Sequence, residues 1–246
     1  MTDTMDDHEL AAALALEAGA LLLQVRAAGG DDLKATGDRT SNELLMARLA
    51  ELRPDDGVLS EESVDDKTRL QASRVWIVDP LDGTREFSEP PRTDWAVHVA
   101  LTVDGLPTVG AVALPALDLV LSTASAPTLA PAVDGPPRLA VSRTRPPACT
   151  QVLVDALGAT LVGMGSAGAK AMAVVLGEVD VYAHSGGQYE WDSCAPVAVA
   201  AAAGLHVSRL DGSPLVYNQP DPYLPDLLIC RPEWTDRVLG ALSSAG

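Results

Sequence analysis

The sequence predicts a mixed fold, with an α+β first half built on an antiparallel sheet and an α/β second half. Helix-like segments precede a run of strand-like segments in the first half, whereas short strands and helices alternate in the second. The hydrophobic content of 47% and the charged content of 21% are those of an ordinary globular protein. The 246 residues suffice for one large domain or two closely joined ones.

Two helices are predicted near the N-terminus. Residues 6–28 carry leucine and valine at helical spacing behind an acidic first turn, and a glycine pair ends this helix. Thr40 and Ser41 are the candidate N-caps of a second helix, which Pro54 stops. The polar segment before Thr40 is therefore expected to be a connection.

Strand-like segments follow, separated by turn residues. They read GVLSEES, RVWIVD, WAVHVALTV, VGAVALPA and LVLSTA. Residues 124–138, rich in Pro, Ala and Gly, are expected to form a loop or a domain seam. We therefore predict an N-terminal α+β subdomain over residues 1–130 and a C-terminal α/β subdomain over residues 131–246.

Strands and helices alternate in the second half. RLAVS, LVGMGS, VDVYAH and DLLICR are the predicted strands. Helices are expected near 147–158, 168–177, 192–204 and 232–243. The segment LHVSRLDGSPL, with its Asp-Gly turn, is expected to form a hairpin.

Composition and charge argue against several classes of function. The formal net charge of −17 disfavours a nucleic-acid-binding surface. The longest apolar stretch, residues 195–205, is too short and too alanine-rich to cross a bilayer, and the acidic N-terminus lacks the basic segment of a secretion signal. Three widely spaced cysteines fit free thiols in a reducing cytosol. We therefore expect a cytoplasmic protein with no nucleic-acid or membrane partner.

The segment SRVWIVDPLDGTREFSEP, residues 73–90, places oxygen ligands at the end of a strand. Asp79 follows the buried strand, and Pro80 forces a turn that aims the Leu81 carbonyl and the Asp82 carboxylate to the same side. Two aspartates and a carbonyl are hard oxygen ligands of the kind that Mg²⁺ selects. The segment therefore indicates a magnesium site.

Each of these acids also has a simpler interpretation on its own. A self-capping aspartate-rich turn explains DPLDG, and Glu61-Glu62 reads as a solvated strand end. Asp192, in YEWDSCAP, reads as the N-cap of the alanine-rich helix that follows. The interpretation therefore depends on the joint pattern of the acids.

That joint pattern resembles the inositol-monophosphatase-like family of Mg²⁺-dependent, lithium-sensitive phosphatases. The resemblance runs over nearly the whole chain, in LSEES, WIVDPLDGT, GSAGAKAMAV and YEWDSCAP. It implies the layered α/β/α/β/α sugar-phosphatase fold, with the cleft between the halves, and a homodimer. It implies that the metal ligands are Glu61, Asp79, the Leu81 carbonyl, Asp82 and Asp192, with Glu62 reaching a further metal through water.

The same resemblance implies two or three Mg²⁺ ions per site. It also implies that Mn²⁺ can replace Mg²⁺ and that Li⁺ inhibits the enzyme. A metal-activated water then attacks the phosphate ester directly, with no phosphoenzyme. In the family a threonine–aspartate pair orients that water, and Thr84 and Asp38 match this pair. Asp38 also has a simpler interpretation, as a loop acid before the helix.

Two further strings concern the substrate. DGTREF resembles the DGTKEF of bacterial 3′-phosphoadenosine 5′-phosphate phosphatases (the CysQ proteins), with Arg85 in place of lysine; VSRTRPP resembles their VSRSH, with Arg145 in place of histidine. The resemblance implies hydrolysis of the 3′-phosphate to give AMP, or of the 5′-phosphosulfate relative to give its 3′-dephosphorylated product, in sulfur assimilation.

A bisphosphate substrate carries a second anion, which calls for a fixed cation. Lys170 and Arg143 are the candidates, and the amides that open the helix at Lys170 are expected to face an anion as well. The implied substrate contacts are Leu81, Asp82, Gly83, Thr84, Arg85, Ser142, Arg143, Gly165, Ser166, Ala167, Lys170 and Asp192.

Other functions stay open at this point. An inositol-1-monophosphatase or a fructose-1,6-bisphosphatase would use the same metal core. A non-catalytic nucleotide or metal sensor on this scaffold would be expected to lose at least one ligand, yet every matched position carries an oxygen donor. A purely structural acidic domain leaves the acids at the strand ends unexplained.

Overall fold

The computed structural model describes residues 5–132 and 134–244 as stacked layers of helices and sheets. The helices are α1 (Asp7–Ala28), α2 (Leu33–Leu52), α3 (Thr84–Phe87), α4 (Cys149–Leu157), α5 (Ala167–Val175), α6 (Glu190–Ala202) and α7 (Thr235–Ser243). The strands are β1 (Gly57–Ser60), β2 (Arg74–Asp82), β3 (Ala96–Val103), β4 (Leu106–Leu114), β5 (Leu119–Ser122), β6 (Arg138–Ser142), β7 (Thr160–Met164), β8 (Val181–Tyr189), β9 (His206–Ser208) and β10 (Tyr223–Cys230).

The first sheet has the strand order β1-β2-β3-β4-β5. Neighbours from β2 to β5 are antiparallel, as predicted. The pair β1–β2 is parallel, so the expectation of a purely antiparallel sheet is wrong at this edge. The reason is that the connection between these two strands is a crossover and not a hairpin.

The second sheet has the order β7-β6-β8-β10-β9. Strand β6 pairs in parallel with both β7 and β8, whereas β10 is antiparallel to β8 and β9. The parallel pairs are the ones whose connections contain α4 and α5, as the strand–helix alternation predicted.

Residue alternation along the strands assigns the helices to layers. On β2, Trp76 and Val78 face the core that α1 and α2 cover, while Val75 and Ile77 face α5 and α6. On β10, Ile229 faces the same central helices and its neighbours on either side face α4 and α7. The layers are therefore α1/α2, first sheet, α5/α6, second sheet and α4/α7, which confirms the layered fold.

Helix α1 is long and apolar enough to cross a membrane, with a mean hydropathy of 1.5 over its most apolar window. In this fold Leu10, Leu14 and Leu22 are buried in the core that α1 shares with the first sheet. Asp6 and Glu9 form a capping box at its start. Packing within the protein thus accounts for this side of α1, whereas Leu16 and Leu23 are exposed.

Helix α2 begins at Leu33, seven residues before the predicted caps. Thr40 and Ser41 are therefore interior residues, and their hydroxyls donate to the carbonyls of Thr36 and Pro80, both at 2.7 Å. The helix shows no apolar periodicity here because Gly37 occupies a buried position: a Cβ on Gly37 would lie 2.8 Å from the Phe87 ring. The start of α2 could not be predicted from apolar spacing, because a glycine is required at this buried position.

The predicted hairpin at LHVSRLDGSPL is also wrong. Only β9 forms, and it pairs with β10. The residues after it make a loop, in which the Arg209 amide donates to the Ser213 carbonyl at 2.9 Å. The Arg209 guanidinium donates twice to Asp226, both at 2.8 Å, and this ion pair ties the loop to β10. The remaining predicted helices and strands are confirmed.

Replacement of Gly110 by alanine is expected to lower the free energy of unfolding by about 1–3 kcal/mol. A Cβ there would lie 2.7 Å from both the Ala195 carbonyl and the Ala198 Cβ, because β4 packs directly against α6. Urea unfolding of G110A measures the loss. The control is G240A in α7, where a Cβ would meet nothing within 4 Å and helix propensity predicts a gain of about 0.5–1 kcal/mol. Equal stability of the two variants would contradict direct packing of β4 on α6.

Candidate functional site

The end of β2 carries the aspartate-proline corner that the sequence singled out. The strand pairing with β3 shifts register between Asp79 and Asp82, so the chain bends at Pro80. The Asp79 carboxylate accepts the Leu81 amide at 3.0 Å, and Ser41 of α2 donates to the Pro80 carbonyl. These contacts fix the corner from both sides, and all four of its residues are buried.

Gly83 joins this corner to α3 and is needed for two reasons. Its φ is +85°, in the left-handed region that favours glycine. A Cβ at this position would also lie 2.8 Å from the Ser166 Cβ. The β2 corner can therefore approach the start of α5 only because residue 83 has no side chain.

The Asp82 carboxylate contacts two other elements, α5 and β3. Its carboxylate accepts the amides of Ala167 and Gly168, at 3.2 and 2.6 Å, at the N-terminus of α5. His98 Nε2 lies 3.2 Å from its Oδ2. Burial acts to raise the pKa of Asp82, but His98, Lys170 and the Gly168 amide outweigh it, so the pKa lies below its ordinary value. Asp82 is thus held in its charged form.

The other acids of the predicted set lie close enough to influence one another's charge. The parallel register of β1 and β2 places Ser60 opposite Val78, so Glu61 emerges beside Asp79. Burial, reinforced by Asp192 and Asp82, raises the pKa of Glu61 to about 7. Burial and then Glu61 and Asp82 raise the pKa of Asp79 well above its usual range. The structure therefore brings Glu61, Asp79, Asp82 and Asp192 together.

Asp192 reaches this group from α6, in the second half of the chain. The helix begins at Glu190 and Tyr189 is its N-cap, so the simpler interpretation of Asp192 as the N-cap itself is wrong. Asp192 lies in the first turn and accepts the Tyr189 amide at 2.7 Å. Burial, followed by the charge of Asp82, raises its pKa to about 6. One acid thus stabilises the helix start and faces the other carboxylates.

Asp38 and Thr84 are also brought together. The Thr84 hydroxyl lies 3.3 Å from Asp38 Oδ1 and 3.2 Å from the Leu81 carbonyl, and it can donate to either. Asp38 projects from helix α2, so its interpretation as a loop acid is wrong. Burial, with the nearby charge of Glu62, raises its pKa to about 6 against the hydrogen bond from Thr84.

A cleft of about 940 Å³ opens beside these acids. Its lining includes every predicted substrate contact except Leu81, together with Glu86, the 144–147 loop, Met164 and residues 184–188. Among the lining cations, Arg85, Arg143, Arg145 and Lys170 come from both halves of the chain. The cleft therefore carries these four cations alongside the acids Asp82, Glu86 and Asp192, in a protein of net charge −17.

The amides that open α5 have partners within the protein. Gly165 and Ser166 donate to the side chain and the carbonyl of Asp94, at 2.6 and 3.3 Å, and Ala167 donates to Asp82. This corrects the expectation that these amides are free for an anion. They serve instead to hold Asp94 and Asp82 in place.

The two candidate cations also have partners. The Lys170 ammonium donates to the carbonyls of Ser166, at 2.6 Å, and Gly165. Arg143 donates to Glu86 at 2.8 Å and to Glu89 at 3.3 Å. Tyr189 and Trp191, at the start of α6, stack with ring centroids 4.9 Å apart and lie outside the cleft lining.

Sequence reasoning missed three residues of this region: His98, Asp94 and Glu86. A ring nitrogen of His98 lies within 4.8 Å of carboxylate oxygens of both Asp79 and Asp82. Burial acts to lower the pKa of His98, but the contact with Asp82 outweighs it and raises the pKa. Its signal was a histidine at a buried position of an otherwise apolar strand, WAVHVALTV. Asp94 and Glu86 gave no signal, because their roles depend on the later half of the chain.

Comparison with known proteins places this geometry among phosphatases. The chain is 56% identical over 241 residues to a 3′-phosphoadenosine 5′-phosphate phosphatase of Mycobacterium tuberculosis, covering 93% of this chain and 90% of that relative. It is 31% identical to the 3′(2′),5′-bisphosphate nucleotidase CysQ of Escherichia coli, over 76% of this chain and 80% of that relative. The crystal structure of CysQ from Bacteroides thetaiotaomicron superposes with a TM-score of 0.78 at 26% identity, covering 90% of this chain and 96% of the other.

The sequence profile of the inositol monophosphatase family matches residues 8–245. This match spans α1 through α7 and includes all the acids described above. The chain therefore belongs to the inositol monophosphatase family.

Proposed function

We propose that this protein is a Mg²⁺-dependent phosphatase that hydrolyses the 3′-phosphate of 3′-phosphoadenosine 5′-phosphate to give AMP and phosphate. The observation that carries the proposal is the convergence of Glu61, Asp79, Asp82 and Asp192 beside a cleft that four cations line. The names of the relatives from Mycobacterium tuberculosis and Escherichia coli support this substrate class. We extend the proposal to the 5′-phosphosulfate relative of the same nucleotide.

The donor set fits Mg²⁺. Carboxylates and a backbone carbonyl are the oxygen ligands this ion prefers. Burial together with nearby carboxylates raises the pKa of Glu61, Asp79 and Asp192, and a bound cation would favour their charged forms. In this proposal these three acids, Asp82 and the Leu81 carbonyl hold the ions, and Glu62 reaches a further ion through water.

The metal ions and the protein side chains have separate roles in the proposed reaction. When bound, Mg²⁺ polarises the phosphate ester and increases the acidity of a water. Thr84 donates its hydroxyl hydrogen to Asp38, which leaves the oxygen lone pairs of Thr84 to orient that water. Asp38, with its pKa near 6, accepts a proton near neutral pH. No nucleophilic side chain is required for in-line attack by water.

The cations of the cleft support a bisphosphate substrate. Metal ions neutralise only the phosphate under attack, so a second phosphate needs separate cations. Arg85, Arg143, Arg145 and Lys170 line the cleft beyond the acids. The cleft volume of about 940 Å³ lies within the range of small-molecule sites. We therefore assign the second phosphate to these cations.

Further features of the proposal rest on family membership alone. They are two or three Mg²⁺ ions per site, substitution by Mn²⁺, inhibition by Li⁺, a homodimer, and a cytoplasmic role in sulfur assimilation. The division into subdomains at residues 130/131 also stays a prediction.

Substrate preference tests the proposal directly. In Mg²⁺, kcat/KM for 3′-phosphoadenosine 5′-phosphate is expected to exceed that for inositol 1-phosphate and fructose 1,6-bisphosphate by about tenfold or more. Asp82→Asn, measured with the same preparation, is expected to abolish phosphate release and so exclude contaminating enzymes. A tenfold preference for inositol phosphate would overturn the substrate assignment, and equal activity of Asp82→Asn would overturn the site.

Asp38 is expected to affect catalysis more than metal binding. In Asp38→Asn the hydroxyl of Thr84 loses its charged acceptor, so kcat should fall by about 10²–10⁴-fold. Isothermal titration calorimetry should give a Mg²⁺ affinity close to that of the unaltered protein. Glu43→Gln, on the exposed side of α2, is the control and should change neither quantity. A large loss of Mg²⁺ affinity in Asp38→Asn would make Asp38 a ligand.

Mg²⁺ affinity is expected to fall as the pH is lowered through 7 and 6. The pKa of Glu61 is about 7 and that of Asp192 about 6 in the metal-free protein. Because Mg²⁺ binds their charged forms, binding below these values must release protons. Calorimetry in two buffers of different ionisation enthalpy measures the release, and Glu61→Gln should reduce it. Proton-free binding at pH 6 would contradict this prediction.

A further inference from the structure

His98 occupies a central position behind the acids. It lies on β3 with no solvent exposure. Its Nε2 is 3.2 Å from Asp82 Oδ2, and its Nδ1 is 3.9 Å from Asp79 Oδ2. Nδ1 is also 3.0 Å from the carbonyl of Trp191, the residue before Asp192. One imidazole therefore contacts both aspartates of the β2 corner and the first turn of α6.

The surroundings of His98 are shaped for it. A Cβ on Gly168 would lie 2.1 Å from His98 Nε2, so α5 can approach the imidazole only with glycine at that position. The same Gly168 donates its amide to Asp82 at 2.6 Å. The imidazole and the N-terminus of α5 thus contact the same carboxylate.

His98 lies behind the cleft and not in it. Asp82 and Asp192 line the cleft, whereas His98 is outside its lining. Its Nε2 is fully enclosed and, although it lies 3.2 Å from Asp82 Oδ2, it forms no hydrogen bond with the described residues. Because a carbonyl only accepts hydrogen bonds, Nδ1 must carry a hydrogen toward Trp191, so this nitrogen offers no lone pair to a metal. These observations favour a supporting role over direct coordination.

We propose that His98 is a positioning residue of the metal site, which fixes the separation between the Asp82 carboxylate and the first turn of α6. In this role Nδ1 donates to the Trp191 carbonyl, and the Nε2 edge of the ring lies against the Asp82 carboxylate. The inference rests on the proposed function, in which these acids hold Mg²⁺. Groups that orient metal ligands in this way affect metal affinity by about 10–100-fold.

The test compares three replacements of His98 by their Mg²⁺ affinity. Gln places a donor near the position of Nε2, Asn places one near the position of Nδ1, and Leu has none. Calorimetry without substrate is expected to give a Kd about tenfold or more higher for His98→Leu, with His98→Gln closer to the unaltered protein than His98→Asn. His206→Leu on β9, whose ring contacts Ser208, is the matched control and should leave the Kd unchanged.

Thermal unfolding of the metal-free variants separates positioning from general stability. If His98→Leu lowers the Tm but leaves the Kd unchanged, or if all three replacements raise the Kd alike, His98 is only structural and the inference is wrong. Nitrogen coupling to bound Mn²⁺ in the pulsed EPR spectrum would make His98 a ligand and also overturn it. Absence of Mg²⁺ binding by the unaltered protein would instead overturn the proposed function, and this inference with it.

Discussion

The burial of several carboxylates close to one another is the constraint on which the rest of this structure depends. Glu61, Asp79, Asp82 and Asp192 come from three parts of the chain, and burial together with the charges of neighbouring acids raises the pKa of Glu61, Asp79 and Asp192. A fold that holds such groups together in the absence of a counter-ion must compensate part of the charge itself. Here the neighbouring donors and cations compensate mainly the charge of Asp82, whose pKa is lowered. The pKa values of Glu61, Asp79 and Asp192 stay raised.

The compensation of Asp82 also joins the two halves of the chain. The acid belongs to the first sheet, whereas the amides that it accepts belong to α5, which follows the first strands of the second sheet. A helix N-terminus offers unpaired N–H groups and a favourable dipole to a carboxylate. The absence of side chains at Gly83 and Gly168 allows this approach. The same contact therefore assembles the layers and prepares the site.

The sequence was sufficient to predict the strand ends and the acids on them, because the motif is local. WIVDPLDGT specified the corner at Asp79 and Asp82 without reference to any distant residue. Contacts between distant segments could not be predicted in this way. The partners of the amides at Gly165–Ala167 and the start of α2 at a buried glycine depend on packing across layers. The role of His98 depends on three elements that meet only in the folded chain.

The spacing of the acids along the chain has a consequence for biosynthesis. Three of them precede residue 83, while Asp192 and the helix that relieves Asp82 are translated more than 80 residues later. A ribosome-bound fragment that ends before α5 would contain three of the acids. It would lack both Asp192 and the α5 amides that donate to Asp82. If these acids hold Mg²⁺ as proposed, the full set of ligands therefore exists only after α6 has been translated, at residue 202 of 246.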